Sequence, residues 1–327
     1  MFDKAPRAGK SHDAWSVSIR NRTSNLVTPV QRLAVLLTCL LVPTAFAGEL
    51  TVATFNIRYA SGADLGKRSW KQRKPVVVEA IRKINPDVFG VQEAEAHQMD
   101  YLKEKLPGYE AFGVGRTNGK RKGEFSAVFL RKKRVERDLE EGGTFWFSDT
   151  PEQAGSKGWG NEVVRICTWA RLIDKKTGKG FYLFNTHWDH RNQASREKAG
   201  RLMAKRAAAR DNQAEPVVMT GDFNATETNP GVAYLLGKEV ALAGGEGPEK
   251  CDQPLRSSFL ELHPEVENRR TANGWKGDKE GKSMIDHVLV SREWTVKKAW
   301  IDYFEKNGIW PSDHYPVAAV IELAEAK

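Results

Sequence analysis

The sequence predicts an α+β fold, on three observations. Eight short apolar runs of strand character are spread over residues 50–323, too many and too dispersed for a helical bundle. Stretches of helical character fall between them, with no repeat and no low-complexity linker. Acidic, amide and imidazole side chains recur at the ends of the apolar runs; "PVVMTGDFNAT" at 216–226 passes straight from strand to acid. Asp and Asn are also ordinary turn residues at strand ends, so the case rests on recurrence and not on one run.

Taken in order, residues 33–47, "LAVLLTCLLVPTAFA", form an apolar core behind Arg32, closed by the small-residue pattern Ala45-Phe46-Ala47. That is the pattern of a secretory signal peptide, too short for a spanning helix; an uncleaved anchor is the competing reading. Residues 48–327 are then expected to form a single exported domain. Strands are expected at "LTVATFNI", "DVFGVQ", "FSAVFL", "ICTWARLI", "FYLFNT", "PVVMT", "DHVLVS" and "YPVAAVIEL", with Gly221 letting the chain leave its strand sharply. Helices are expected over about 70–84, opened by a capping box from Ser69 to Gln72 and carrying Pro75, over about 94–106, over about 195–211, and from Pro230 onward. Gly- and charge-rich loops are expected around 140–162, 242–256 and 264–283, where specificity usually resides.

Six of the 51 Lys and Arg and two of the 42 Asp and Glu lie in the leader, so its removal lowers the net charge from +9 to +5. A modest positive excess suits an anionic substrate without identifying it. The basic runs at 120–122 and 131–134 read first as solvated surface. Cys39 leaves with the signal. An exported protein permits one disulfide between Cys167 and Cys251, but Cys167 lies in a strand-like run where a buried thiol is expected.

The polar residues can now be placed. Asn56 and Arg58 end the first run, Glu93 ends the second, and Glu124 opens the third. His187 ends the fifth, Asp222 and Asn224 leave the sixth, Asp286 opens the seventh, and Asp313 and His314 open the eighth. In a mixed sheet the exit ends of some strands lie beside the entry ends of others, so these groups can converge on one rim. The set has no Ser or Cys nucleophile paired to a base. Its hard oxygen ligands suit Mg²⁺, with Mn²⁺ as the other candidate. Imidazoles oriented by carboxylates can donate to phosphoryl oxygens or protonate a leaving group. The chemistry implied is metal-assisted attack of water on a phosphate ester.

The ordered motifs "FNIR", "QE", "GEFSAVF", "NTHWDH", "GDFNA", "IDHV" and "SDHYPV" resemble those of the endonuclease/exonuclease/phosphatase superfamily, over nearly all of residues 48–327. The resemblance implies a four-layer α/β/β/α sandwich, two mixed β-sheets packed face to face with helices outside, and a divalent-metal phosphoesterase site at the rim. It implies Glu93 as a metal ligand with Asn56 beside it, and Asp313 touching the metal. Asp222 and Asn224 resemble the pair that orients or activates the attacking water and holds the phosphate. His187 is expected to pair with Asp286 and His314 with Glu124; coupling of Asp286 to His314 would instead be the arrangement of the abasic-site endonuclease branch. Arg58 and Arg165 resemble phosphate-contacting arginines of the pancreatic-type deoxyribonuclease branch. That branch carries a basic residue two positions beyond its metal Glu, where this chain has Glu95, which counts against duplex-groove binding. The run "GSKGWG…RICTWA" is similar instead to a bacterial branch without an assigned substrate, distantly akin to the deadenylases.

Asp189 and His190 either support the site or cap a loop, whereas His97 and His263 are expected at the surface. Trp188 and Trp310 flank two of the motifs and are read as core filler before stacking platforms. The expected function is an exported Mg²⁺-dependent phosphodiesterase on a phosphate-ester substrate, nucleic acid or nucleotide first, with no stable membrane partner after signal cleavage. The alternative is a phospholipid or sugar-phosphate phosphodiesterase or phosphomonoesterase on the same fold. A catalytically silent binding protein is the third reading, and its signature, loss of a residue from the central set, is not found.

Overall fold

The computed structural model describes residues 48–323; the expected leader and signal peptide, 1–47, lie outside the described residues. One six-stranded sheet contains β1 (Leu50–Asn56), β2 (Val88–Ala94), β3 (Tyr109–Phe112), β4 (Phe125–Arg131), β13 (Trp294–Ile301) and β14 (Val317–Leu323), in the order β13-β14-β1-β2-β4-β3. The other contains β5 (Val135–Trp146), β6 (Ile166–Asp174), β7 (Gly180–His187), β8 (Val217–Asp222), β11 (Arg256–Ser257) and β12 (Asp286–Val290), in the order β11-β12-β8-β7-β6-β5. Each sheet has one central parallel pair, β1 with β2 and β7 with β8, among antiparallel neighbours. A small ribbon joins β9 (Val240–Ala241) to β10 (Pro248–Glu249). The mixed-sheet sandwich expected from the sequence is the observed fold.

Side-chain alternation builds the layers. Leu50 and Val52 of β1, Val88 of β2, Phe181 and Leu183 of β7, Val218 of β8 and Val288 and Val290 of β12 share the core between the sheets. The alternate residues Ala53, Phe55, Phe89 and Val91 pack outward with α1 (Trp70–Ile84) and α2 (Ala96–Lys105). Tyr182, Phe184, Val217 and Met219 pack outward with α3 (Gln193–Ala208) and α4 (Pro230–Leu235). The short α5 (Ser258–Leu262) follows β11.

Along the inner face the chemistry changes toward one rim. Each of the rows Val52-Thr54-Asn56, Leu183-Asn185-His187, Val218-Thr220-Asp222 and Val290-Val288-Asp286 begins apolar and ends in a functional group. Below the rim the sheets are joined by hydrogen bonds. Asn185 Nδ2 donates to the carbonyls of Val91 (3.1 Å) and Ala127 (3.0 Å), and its Oδ1 accepts from Gln92 Nε2 (2.7 Å) and Thr220 Oγ1 (3.1 Å). Every atom of that amide is thus satisfied in a site where an unpaired one would be costly.

Several expectations need correction. Gly221 lies inside β8, opposite Thr186 and His287, and does not end the strand. A Cβ there would collide with the Thr186 carbonyl, so the glycine serves close strand approach. Ser69 makes no capping bond; its hydroxyl donates back to Gly66 O at 2.7 Å, and the capping box belongs instead to Glu95 and Gln98 at α2. The expected loop from 140 begins only after Trp146, because β5 is a long edge strand. Cys167 and Cys251 are both free and buried.

Candidate active site

The register of the second sheet assembles half of the site. His187 pairs across β7 and β8 with Asp222, which in turn pairs across β8 and β12 with Asp286. Three strand positions thus form one row of three functional groups. His187 Nε2 lies 3.4 Å from Asp222 Oδ2, and His314 Nε2 lies 3.8 Å from the same oxygen. Asp222 Oδ1 accepts from the backbone amide of Asn224 at 2.8 Å, while Asn224 Nδ2 holds Trp188 O at 3.0 Å.

The first sheet supplies the facing half. Asn56 Nδ2 bridges the sheets, donating to Glu93 Oε1 (3.0 Å) and Asp222 Oδ2 (2.9 Å). Glu93 Oε2 accepts from the amide of Tyr59 at 3.2 Å. Arg58 Nε lies 3.1 Å from Asp64 and 3.8 Å from Asp313, and its Nη1 lies 3.9 Å from Glu93. Arg58, Glu93 and Asn224 have φ of 57°, 62° and 48°. Left-handed backbone at non-glycine residues is held only where surrounding contacts over-determine it.

Neither expected imidazole–carboxylate pair forms. His314 Nδ1 is 2.9 Å from Asp286 Oδ2, so Asp286 serves His314 and not His187. Glu124 pairs with Arg116 Nη2 at 2.7 Å. The reason is geometric: register places Asp286 beside Asp222, and His314 reaches that row from a loop bridged to Ala272. Glu124 lies at the other flank, where Arg116, Glu124, Arg165 and His187 line a small recess.

These surroundings drive the two imidazoles apart. Burial and the charges of Arg165 and Arg116 hold His187 well below the usual histidine pKa, hence neutral. Burial also opposes charge on His314, but the carboxylates of Asp286, Asp222 and Asp313 outweigh it and raise that imidazole well above the usual value. Burial and neighbouring Asp286 push Asp222 up to about 7. Burial, with Glu93 nearby, also raises Asp313.

Arg165 is buried, with Nη2 3.0 Å from His190 Nδ1, and its Nε and Nη1 have no hydrogen-bond partner among the described residues. Asp189 caps its own loop by accepting from the amides of Arg191 and Asn192, and ties it to the preceding long loop by accepting from the amide of Glu162. Trp188 is fully buried with Nε1 on Met203 Sδ, so it is core and no stacking platform. Trp310 packs against the inter-sheet core and under Gly277. His97 is exposed, whereas His263 is half-buried with Nε2 2.9 Å from Ala299 O.

Arg116 escaped the sequence reading; its signal was the eight-residue spacing to Glu124 across a tight turn.

Two sets of groups, Glu93-His187-Asp222 and Asp222-Asp286-His314, place one possible ligand atom from each residue within 4.8 Å of one another. Asp286 Oδ1 is buried without a partner among the described residues. Clustered carboxylate oxygens with spare acceptor capacity fit a hard divalent cation.

A model of the Endonuclease/Exonuclease/phosphatase family matches residues 53–314. The chain belongs to that family. Its fold is similar to a solved endonuclease/exonuclease/phosphatase of Bacteroides vulgatus, 31% identical, covering 85% of this chain and 100% of that one at a TM-score of 0.71. It is also similar to a mannosyl-6-phosphatase of Bacteroides thetaiotaomicron, 32% identical, covering 83% and 99% of the two chains at a TM-score of 0.69. An uncharacterised protein of Acanthamoeba polyphaga mimivirus is 26% identical over 162 residues, 47% of this chain, and the match spans 59% of that relative's length. Family members are metal-dependent hydrolases of phosphate esters, and this chain is a phosphoric ester hydrolase of that kind.

Proposed function

We propose that the protein is an exported Mg²⁺-dependent hydrolase, with Mn²⁺ able to substitute, that acts on small phosphate esters of the sugar-phosphate class. The observation that carries the reaction is the convergence on Asp222 Oδ2 of His187, His314 and Asn56, with Glu93 across the rim and Asp286 behind His314.

Glu93 would hold the cation, with Asp313 beside it, and the cation would offset charge on the phosphoryl oxygens. Arg58 and Arg165 orient the phosphate from either flank. Asp222 accepts a proton from the attacking water as its oxygen bonds to phosphorus, a task suited to a carboxyl poised near neutrality. Asn56 and the Asn224 amide fix that carboxylate. As the ester P–O bond breaks, imidazolium His314 donates its Nε2 proton to the departing alkoxide, and Asp286 holds the ring in place. Neutral His187 donates a hydrogen bond to a phosphoryl oxygen.

Two observations favour a small ester over a polynucleotide. Glu95, in the position where a groove-binding enzyme carries a cation, caps α2 and accepts from the Ala60 amide. The Bacteroides thetaiotaomicron relative is a mannosyl-6-phosphatase. Nucleic acid is the second reading, supported by the cationic flank of Arg116 and Arg165 beside His187. Export is supported by the apolar run at 33–47; among the described residues no helix is long and apolar enough to cross a membrane. The test is a panel of hexose phosphates, nucleotides, single- and double-stranded DNA, RNA and phospholipids with Mg²⁺. Release of phosphate from hexose phosphates at the highest kcat/KM is expected; faster cleavage of polynucleotide would reject the sugar-phosphate assignment. Intact leader on protein recovered from its host would reject export.

A further inference from the structure

α1 turns Trp70, Val77, Ala80, Ile81 and Ile84 inward against the first sheet, and on the same helix it buries a cation, Arg73, which has no accessible surface. Among the described residues no carboxylate touches that guanidinium; its hydrogen bonds go to backbone carbonyls from three segments. Nη2 donates to Arg58 O (2.6 Å) and Tyr59 O (2.9 Å), Nη1 to Ile57 O and Pro311 O (3.3 Å), and Nε to Arg68 O (3.0 Å). Its plane is flanked by the Trp70 and Trp275 rings at 5.0 and 5.7 Å. Burial lowers its pKa to about 10, so the group stays charged at neutral pH.

Two of the segments it joins, 57–59 and that of Pro311, deliver the first half of the site. Ile57 to Tyr59 contains left-handed Arg58 and the amide that fixes Glu93 Oε2. Pro311 leads two and three residues later to Asp313 and His314. The Arg58 carbonyl receives a second donor, Gln98 Nε2, at 2.9 Å. A strained turn needs such over-determination, and a planar fork of donors is the side chain suited to supply it.

We propose that Arg73 is a positioning residue, which through the carbonyls of residues 57–59 and Pro311 sets Arg58 and the Glu93 carboxylate relative to Asp313 and His314. This rests on the phosphoesterase reading for its kinetic consequence but not for its structural one. Arg73 touches no reacting atom. Its loss moves a cation holder and a phosphate binder together, whereas loss of an ordinary core residue lowers stability and leaves the surviving folded molecules with wild-type constants.

The test uses Arg73→Lys, which keeps charge and loses the fork, and Gln98→Ala, which removes the second donor to Arg58 O together with the acceptor that caps the Glu95 amide, and leaves Arg73 in place. Readouts are thermal midpoint, Mn²⁺ affinity by calorimetry, amide exchange of residues 57–60 and 309–314, and kcat and KM per folded molecule on a phosphate ester. For Arg73→Lys we expect faster exchange in both segments, unchanged exchange in β7 and β8, and losses of about 10- to 100-fold in Mn²⁺ affinity and in kcat/KM. Gln98→Ala is expected to shift the same readouts in the same direction by about 3-fold, and it decides the matter if Arg73→Lys fails to fold. Folded variants with wild-type Mn²⁺ affinity and wild-type exchange in the two segments would overturn the proposal. Shifted affinity and exchange in a protein whose wild type hydrolyses no ester would support the positioning role and reject the phosphoesterase reading.

Discussion

The two sheets contribute to the same rim by different means. In the second sheet His187, Asp222 and Asp286 stand on adjacent strands in one register row, and alternation alone aims them inward. In the first sheet only Asn56 is placed that way. Arg58 and Glu93 sit on left-handed backbone, and Asp313 and His314 come from a loop. One half of the site is thus a property of strand pairing, and the other half is a property of turns held by side chains. Strand pairing is cheap to specify and rigid, whereas turns allow a cation holder and a phosphate binder to be aimed where no pleat would point them.

The largest expected effects break either half. Asp222→Asn and Glu93→Gln should each lower turnover on the order of a hundredfold or more while the thermal midpoint holds, because both act at the reaction centre. Full turnover in either variant, per folded molecule, would remove that half from the site.

The imidazole pairing sharpens the comparison next. Asp286→Asn introduced after His314→Ala should cost little further turnover, since the carboxylate acts through that ring, whereas Glu124→Gln introduced after His314→Ala should add its full effect. Additive losses in the first cycle, or strong coupling in the second, would restore the partners expected from the sequence.

The smallest effects fall on stability. Gly221→Ala forces a methyl against Thr186 O between β7 and β8 and should cost roughly 1–3 kcal/mol. Asn185→Ala leaves buried carbonyls and the Gln92 amide short of partners and should cost about 1–3 kcal/mol. Chemical denaturation measures both, and a change below a few tenths of a kcal/mol in Asn185→Ala would mean that the inter-sheet amide is dispensable.

What was legible in the sequence follows the same division. β1, β2, β4, β6, β7, β8, β12 and β14 were visible as apolar runs because they are buried, most of them on both faces. β5 and β13 escaped notice because edge strands carry charge and their ladders shift register, between Arg137 and Gly142 and between Val296 and Lys298. β3, "YEAF", is short and only half-buried. The residues converging on the rim were readable from their strand-end positions, but the partner of each imidazole was not, since it depends on register between β8 and β12 and on a loop's approach. Arg73 was detectable in principle as an arginine interrupting the apolar stripe of α1; without the turn beneath it, nothing said what it holds.

The central claim is that both halves serve one metal-dependent reaction, and chelation tests it most directly. Hydrolysis of a phosphate ester by the purified protein should require Mg²⁺ or Mn²⁺, stop in excess chelator and return when the cation is restored, with Glu93→Gln needing far more cation for any activity. Undiminished hydrolysis in excess chelator would contradict the account.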